Sequence, residues 1–447
     1  MKEKNLYLKQ FLNYVSMNVL SMIGLSVYIL ADTYFISKGI GSNGLAALNI
    51  ALPVYSLLTG SGLMLGVGGA SRFIISKTEG NVEKSSSIFS SAVIGGFIMS
   101  LCLVICGIFL NKQLTVLLGA NDVTFAMTNI YLKLALIFSP AFILNHTLSA
   151  FVKNDKNPRL AMIGMLAGSL FNMLFDYIFI FIFNLGMLGA ILATVFSPVI
   201  GICILSAHFV GKKATFHFDY HKFRLRLLLN SLSSGLPSLV MELASGIVML
   251  IFNILILRIS GNDGVAAYGV LLNIFLVAGC IFNGIAQGAQ PMLGETFARG
   301  DNLGLRKAIK YSSAAVMAAS LIFYVMSLGF SDFFVSVFNS HSNDSLQRLA
   351  LDGFGLYFSQ SVFLGMNTLL IMYFVSVGKA PFAQLMTVLK GIVIVIPLAF
   401  ILSKLLGMTG IWITMPLSEL TVFIIGALYF KISQKSVFGR DMKASGG

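Results

Sequence analysis

Long apolar segments alternate with short polar segments along the whole chain. Twelve segments each hold about 20 or more mostly apolar residues, which is the length that an α-helix needs to cross a bilayer. The predicted spans are 10–38, 44–70, 86–110, 124–150, 159–183, 186–210, 231–258, 264–295, 308–330, 350–376, 381–404 and 408–430. The pattern therefore predicts an all-α integral membrane protein with twelve transmembrane helices.

The composition agrees with a membrane protein. Of the 447 residues, 57% are hydrophobic and only 11% are charged, whereas soluble domains carry about 25% charged residues. This composition excludes a soluble domain and a disordered chain. All four cysteines lie within apolar segments, and we expect small buried side chains there rather than a disulfide framework. No short apolar segment is followed by a cleavage site, so we expect no removable signal peptide.

The basic residues predict the orientation of the chain in the membrane. With both termini in the cytoplasm, 23 of the 30 Lys and Arg residues fall on cytoplasmic segments and 5 fall on outer loops. Membrane proteins show this bias because basic loops stay on the cytoplasmic side. The net charge of +13 thus indicates membrane topology and lipid contact rather than nucleic-acid binding. We expect a multi-pass membrane protein with both termini in the cytoplasm, with the lipid bilayer as a partner and no nucleic acid.

The chain contains an internal repeat. Residues 41–81 align without gaps to residues 261–301, and matching glycines and alanines recur along both segments. We expect two six-helix lobes, 1–210 and 231–447, joined by a cytosolic basic linker at 211–230. Because six is an even number, the lobes share one orientation and are related by a pseudo-twofold axis along the membrane normal. Such lobes commonly face each other across a cavity and alternate its access between the two sides.

Two acidic residues of the first lobe lie well inside predicted spans. Asp32 is about 9 Å and Asp176 about 11 Å from the outer ends of their helices, and Asn172 shares a helix face with Asp176. Thr194 lies at a similar depth in the sixth span. No basic residue of this lobe lies at that level, and two bare carboxylates would repel each other. We therefore expect one carboxylate to be protonated or a cation to bind between them.

The second lobe carries a different set of charges. Glu242, Lys390 and Glu419 are all about 14–17 Å from the cytosolic ends of their predicted spans. Two interpretations stay open: a salt bridge that locks helices together, and a role in binding substrate or protons. Pro237 and Pro397 are expected to break the helices beside these charges.

No sequence motif indicates an enzyme. A P-loop, H-E-x-x-H, G-x-S-x-G and the Rossmann fingerprint are all absent from the sequence. We expect no enzymatic activity and no cofactor. Without an ATP site, transport would have to run on an ion gradient.

Several short motifs together resemble one family. The sequence is similar to the MATE (multidrug and toxic compound extrusion) family, in its prokaryotic DinF-like or MepA-like branch, over nearly the whole chain. The segments that carry the resemblance are 31–36 around Asp32, 44–47, 68–72, 264–268 and 287–291.

The resemblance implies an antiporter that exports amphipathic, often cationic drugs in exchange for H⁺ or Na⁺. It also implies which residues bind the coupling cation in the first lobe, namely Asp32, Asn172, Asp176 and Thr194. It further implies substrate or coupling roles in the second lobe for Glu242, Lys390 and Glu419. We expect amphipathic small molecules as substrates, no metal other than Na⁺ at the first-lobe site, and a monomer.

One departure from the family pattern concerns the first helix. Family members usually have a proline in the first half of this helix, but residues 15–19 contain none, so another hinge such as Gly24 would have to serve. Two alternatives to drug export stay open. A flippase for lipid-linked precursors would have a large, basic central cavity to grip a pyrophosphate. A membrane scaffold or enzyme would not transport at all.

Overall fold

Helices account for nearly all of the part of the chain that the structure describes. The computed structural model describes residues 2–120, 122–210, 214–338 and 344–438. Within these ranges no strand is present, and ten helices are long and apolar enough to cross a membrane. Two bent helix pairs raise the number of spans to as many as twelve. The predicted all-α membrane fold is confirmed. Residues 211–213 of the predicted linker lie outside the described residues.

The first six spans follow the predicted segments closely. They are Lys2–Gly39, Ser42–Thr78, Val82–Phe109, the pair Phe125–Ile137 and Ser139–Asn154, Pro158–Tyr177 with its extension Ile178–Ile182, and Gly186–Val210. The first helix is continuous and has no break at Gly24, where the backbone lies against the side chain of Leu166.

The last six spans repeat this order. They are Leu225–Gly261, Asp263–Ala298, Asn302–Gly329, the pair Asp344–Phe358 and Ser361–Ser376, then Ala380–Val388 continued by Leu389–Val393 and Val395–Leu406, and Met408–Phe438. Several helices extend beyond the predicted apolar segments, mainly at the ends that carry basic residues. Polar side chains at those ends therefore continue helices whose apolar parts lie in the membrane.

The fourth and tenth spans are bent, which the sequence analysis did not predict. The two parts of the fourth span meet at 51° and those of the tenth at 45°. In the fourth span, Pro140 lies in the first turn after the bend. Proline lacks a backbone N–H and clashes with the carbonyl four residues earlier, so it favours a bend just before itself.

Short π-helical segments interrupt the fifth and eleventh spans. Ile178–Ile182 follows Asp176 almost directly, and Leu389–Val393 contains Lys390. The second segment ends four residues before Pro397, so the predicted helix break near this proline is present. The predicted break at Pro237 is absent, because the helix continues through it. Membrane helices tolerate proline where neighbouring groups satisfy the freed carbonyl.

Two short helices follow the third and ninth spans at corresponding places in the repeat. They are Asn111–Leu117 and Ser331–Phe338, and the sequence analysis did not predict either of them. Both carry exposed apolar side chains, such as Leu117 at 80% and Phe333 at 62% exposure. Exposed apolar groups at the end of a membrane helix are typical of contact with lipid rather than water.

The chain divides into two compact units. Leu20–Leu243 forms one unit, and Met1–Val19 together with Ala244–Gly447 forms the other. The boundary between Val19 and Leu20 lies inside the first span, and the boundary between Leu243 and Ala244 lies inside the seventh. In the second unit, Gly284 and Gly288 of the eighth span lie against the backbone of the first helix. Small residues spaced four apart allow such close helix contact.

The seventh span crosses the second span at a backbone contact within the unit Leu20–Leu243. A methyl group placed on Gly235 would overlap the carbonyl oxygen of Met64. A methyl group on Gly68 would overlap the carbonyl oxygen of Ser231. Two glycines facing each other thus allow these helices to touch.

The described part of the linker is attached to the same unit. Phe216 packs among the buried rings of Phe73, Phe89 and Phe151. The backbone N–H of Thr215 donates to Oδ2 of Asp155 across 2.9 Å, and the Thr215 hydroxyl donates to the other carboxylate oxygen. Apolar burial and two hydrogen bonds therefore hold this segment at the end of the helices.

Candidate cation-binding site

Two carboxyl groups meet inside the unit Leu20–Leu243. The side chains of Asp32 and Asp176 are within hydrogen-bonding reach of each other. Asp176 is fully buried, and one oxygen of each carboxyl group has no hydrogen-bond partner among the described residues. Within the same ranges, no Lys, Arg or His forms an ion pair with either group. The structure thus brings together the two acidic residues that the depth argument selected.

Asn172 connects Asp176 to the sixth span. With its amide nitrogen facing Asp176, Asn172 donates to Oδ2 of Asp176 across 3.2 Å. In the same orientation, its oxygen accepts from the backbone N–H of Thr194 across 3.3 Å. The Thr194 hydroxyl donates to the carbonyl of Ala190 at 3.0 Å. All four predicted residues of the first lobe therefore lie in one region, and their role in binding a cation stays a prediction.

Tyrosine side chains that sequence reasoning missed surround the carboxyl pair. The hydroxyls of Tyr28 and Tyr55 lie 2.8 Å apart, and Tyr28 lies near Asp32. Tyr131 lies near both carboxyl groups and contacts Thr194. Tyr28 precedes Asp32 by four residues and so shares its helix face. That spacing could have identified Tyr28 from the sequence, but nothing along the chain indicates Tyr131.

The arrangement suits a small hard cation. Two carboxylates held together without a basic partner carry excess negative charge, which a shared proton or a bound cation would neutralise. Carboxylate, amide and hydroxyl oxygens are the ligands that hard cations prefer. Among the described residues, no group of three or more His, Cys, Asp or Glu side chains could hold a transition metal. The donors therefore suit a proton or a small hard cation, and the identity of the ion stays a prediction.

A buried ion pair lies in the other compact unit. Nζ of Lys390 is 3.0 Å from Oε1 of Glu419. The amide of Asn367 donates to the second carboxylate oxygen of Glu419 across 2.7 Å and to its backbone carbonyl across 2.8 Å. Glu419 and Asn367 are both fully buried. Lys390 and Glu419 are predicted from the sequence. Asn367 is not, because it lies in an apolar segment without any spacing signal.

Glu242 belongs to the unit Leu20–Leu243 and not to the unit that holds Lys390 and Glu419. Within its own unit its side chain is close to Gly60 and near Tyr55. The predicted grouping of Glu242 with the ion pair stays a prediction.

The sequence matches the MatE family model in two segments, residues 18–178 and residues 237–401. These segments cover more than half of the chain and correspond to the two predicted lobes. The chain belongs to the MATE family. The division of this MATE protein into two repeated lobes stays a prediction.

Curated relatives and solved structures agree with this assignment. The chain is similar to the multidrug export protein MepA of Staphylococcus saprophyticus, with 28% identity over 440 residues and 96% of each chain covered. It also resembles a crystal structure of a MATE protein in complex with MaL6, with a TM-score of 0.90, 21% identity and 96% coverage of both chains. An outward-facing multidrug resistance MATE transporter has a TM-score of 0.88 at 20% identity, again with 96% of both chains covered. Both structures support the fold.

Proposed function

We propose that this MATE protein is a cation-coupled antiporter that exports amphipathic, often cationic drugs. The observation that carries the proposal is the contact between the carboxyl groups of Asp32 and Asp176, which have no basic partner among the described residues. Asp176 is fully buried, and Asp32 is partly buried with one buried oxygen. A charge inside a membrane span is costly and is typically retained for function. Similarity to MepA, whose name describes multidrug export, supports drugs as the substrates.

Coupling follows from the charge of the carboxyl pair. A proton or Na⁺ entering from outside would bind at Asp32 and Asp176, with Asn172 and Thr194 as further ligands or positioning groups. Binding neutralises the repulsion between the carboxylates and so favours one conformation over another. The conformation that then faces inward releases the cation and takes up drug, and drug leaves in the opposite direction.

Further charged residues lie in the predicted second lobe, 231–447. We assign Lys390 and Glu419, together with Glu242, to substrate binding or to coupling. Lys390 neutralises the carboxylate of Glu419, and Glu242 provides a negative charge for a cationic substrate or a proton. The pair at 3.0 Å can open when a substrate or proton competes for Glu419.

The proposal includes the setting of the protein. It places the chain in the inner membrane of a prokaryotic cell with both termini in the cytoplasm, acting as a monomer without a cofactor. The flippase alternative requires a large, basic central cavity, whereas the carboxyl pair within the helices of the first lobe is acidic. The basic-residue bias of the loops supports the orientation.

Transport in reconstituted vesicles tests the proposal. Purified protein is placed in liposomes, and uptake of the fluorescent cation ethidium is followed under an imposed pH gradient, an Na⁺ gradient or neither. We expect uptake only with a gradient of the coupling ion. Asp32→Asn and Asp176→Asn should each abolish gradient-driven uptake while the protein remains folded.

An exposed acid provides the matched control. Asp122 lies on an outer loop and is exposed, so Asp122→Asn makes the same chemical change outside the membrane. This variant should transport as the wild type does. Unchanged uptake in both single variants of the carboxyl pair would contradict the mechanism, and uptake without any gradient would contradict antiport.

A further inference from the structure

A basic cavity opens at one end of the unit Leu20–Leu243. Its volume is about 390 Å³, which lies within the range of small-molecule sites. Four cationic side chains line it, Arg72, Lys84, Arg224 and Arg226, and no acidic side chain is among the described residues of the lining. Arg72 lies near the end of the second span, Lys84 at the start of the third and Arg226 at the start of the seventh. Arg224 directly precedes the seventh span.

The guanidinium of Arg72 is held in place at the wall of this cavity. Its Nε atom donates to the carbonyl of Asn230 across 3.1 Å and to the hydroxyl of Ser234 across 2.9 Å. The two terminal nitrogens form no hydrogen bond within the described ranges. A guanidinium fixed in this way presents paired donors to a phosphate group without further ordering.

The other three cations carry charge that the described residues do not neutralise strongly. Arg224 and Arg226 are exposed and form no ion pair within the described ranges. Lys84 lies 3.7 Å from Glu79, with both side chains about half exposed, and such surface pairs contribute little. The start of the seventh helix at Leu225 adds the positive end of a helix dipole. Together these groups form a site for an anion.

The depth of the cavity indicates where the anion comes from. Arg72 lies six residues before the end of its helix at Thr78, or about 9 Å below it. Arg224 directly precedes the seventh span, and Lys84 lies in the first turn of the third span. The bias of basic residues toward cytoplasmic loops assigns these helix ends to the cytoplasmic face of the membrane. They therefore lie at the depth of the lipid headgroups. Beside the cavity, Leu225 and Leu229 are 60% and 55% exposed, and exposed apolar groups at this depth are typical of contact with acyl chains.

We propose that this cavity binds the phosphate headgroup of an anionic phospholipid from the cytoplasmic leaflet. The phosphate would be held by the terminal nitrogens of Arg72 together with Arg224 and Arg226. The acyl chains would follow the exposed leucines along the seventh span. Basic pockets between membrane helices on this side are suited to anionic lipids. The proposal does not depend on the proposed transport function, because it rests on a different cavity.

Native mass spectrometry of the purified full chain tests the proposal. Phosphatidylglycerol and phosphatidylcholine are titrated separately, and their apparent affinities are compared. We expect one phosphatidylglycerol to bind tightly and phosphatidylcholine to bind more weakly. The double variant Arg224→Gln/Arg226→Gln should bind phosphatidylglycerol about 10- to 30-fold more weakly, as the loss of two interfacial charges implies.

The control removes the same charge elsewhere on this face. Arg159 is exposed at the start of its helix, and Lys431 is exposed two turns before the end of its helix. Neither lines the cavity, so Arg159→Gln/Lys431→Gln should retain wild-type affinity within about twofold, a change well below the charge effect. An equal loss in both double variants would contradict a specific site. Because Arg224→Gln/Arg226→Gln could alter folding, the single variant Lys84→Gln is measured too, and we expect a smaller loss in the same direction.

A competition arm identifies the source of the phosphate. Inorganic phosphate and glycerol 3-phosphate are added up to millimolar concentration. We expect neither to displace phosphatidylglycerol, because they lack acyl chains. Displacement by either at concentrations comparable to the lipid would overturn the lipid assignment in favour of a soluble phosphate.

Discussion

Nε2 of His208, near the end of the sixth span, lies 2.8 Å from Oδ2 of Asp155, in the turn between the fourth and fifth spans. Lys77 forms an ion pair with the other oxygen of Asp155, and Thr215 of the linker donates to both oxygens. The carboxylate is fully buried. One residue therefore ties three helix ends and the linker together.

The contacts of Asp155 predict how stability depends on pH. Burial acts to raise the pKa of Asp155, but hydrogen bonds from His208, Lys77 and Thr215 outweigh it and hold the pKa below its usual value. Because the folded pKa is lowered, the stabilisation is complete above the unfolded pKa of about 4 and is lost as the pH falls through the folded pKa. Asp155→Asn should lower the free energy of unfolding by about 3 kcal/mol at neutral pH.

Thermal unfolding in detergent, measured from pH 7 down to pH 3, checks this prediction. The difference in stability between the wild type and Asp155→Asn should be constant above about pH 4. Below that pH the difference in stability should become smaller. Glu79→Gln is the control, because Glu79 and Lys84 form an exposed pair at 3.7 Å that contributes at most about 1 kcal/mol. A difference that grows as the pH falls would contradict the account.

The ion pair of the second unit predicts that the effects of two substitutions on stability are strongly non-additive. Lys390→Met would leave the fully buried Glu419 without its cation and should destabilise the protein by about 3–5 kcal/mol. Lys390→Met/Glu419→Gln should recover most of that loss, because a neutral amide can still accept a hydrogen bond from Asn367. Unfolding of the four proteins of this double-mutant cycle in detergent gives the coupling energy.

Transport by the same double variant separates two roles for the pair. We expect a stable protein with impaired drug transport, as the proposed substrate or coupling role requires. Full transport would show that the pair is structural. Wild-type stability of Lys390→Met alone would contradict the buried ion pair itself.

The close contact at Gly235 predicts that adding one methyl group there severely destabilises the protein. Gly235→Ala would push a Cβ atom into the carbonyl oxygen of Met64, and the second and seventh spans would have to separate. We expect poor expression and loss of the folded protein. Gly246→Ala on the same helix is the matched control, because a Cβ there meets nothing within 4 Å. Its effect should be neutral or stabilising by about 0.5–1 kcal/mol, and size-exclusion profiles of the two variants in detergent compare them. Equal behaviour would exclude the backbone contact.

The bridge made by Asn172 predicts a change in the response to the coupling ion. Asn172→Ala removes the amide that links Asp176 to Thr194 and should raise the cation concentration for half-maximal transport about tenfold, as the loss of a supporting ligand does. Asn129→Ala is the control, because Asn129 bonds to Thr115 at 3.2 Å at the start of the fourth span. Vesicle transport at varied pH and Na⁺ concentration measures both. If both variants had the same cation concentration for half-maximal transport, Asn172 would have no role in the site.

Most of the helical framework follows from apolar segments alone. Length and hydropathy predict the spans because a helix must satisfy its backbone within the membrane. The charges within the spans directed attention to Asp32 and Asp176, since an intramembrane acid is costly enough to be informative on its own.

The details that depend on tertiary contacts could not be predicted. The π-helical segment after Asp176 and the bend without proline in the tenth span have no local signal. Asn367 can be recognised as part of the site only from the structure, because its amide donates to Glu419 on another helix. His208 lies at the end of an apolar segment, and its partner Asp155 is remote in sequence, so pattern and spacing do not connect them.

The central claim is that Asp32 and Asp176 hold the cation that exchanges with drug. The most direct measurement adds ethidium to weakly buffered purified protein and records the release of H⁺ with a pH indicator and of Na⁺ with the radioactive isotope. The account predicts that wild type releases one of these ions and that Asp32→Asn/Asp176→Asn releases neither while still folded. Release of the same ion in the same amount by the double variant would contradict it.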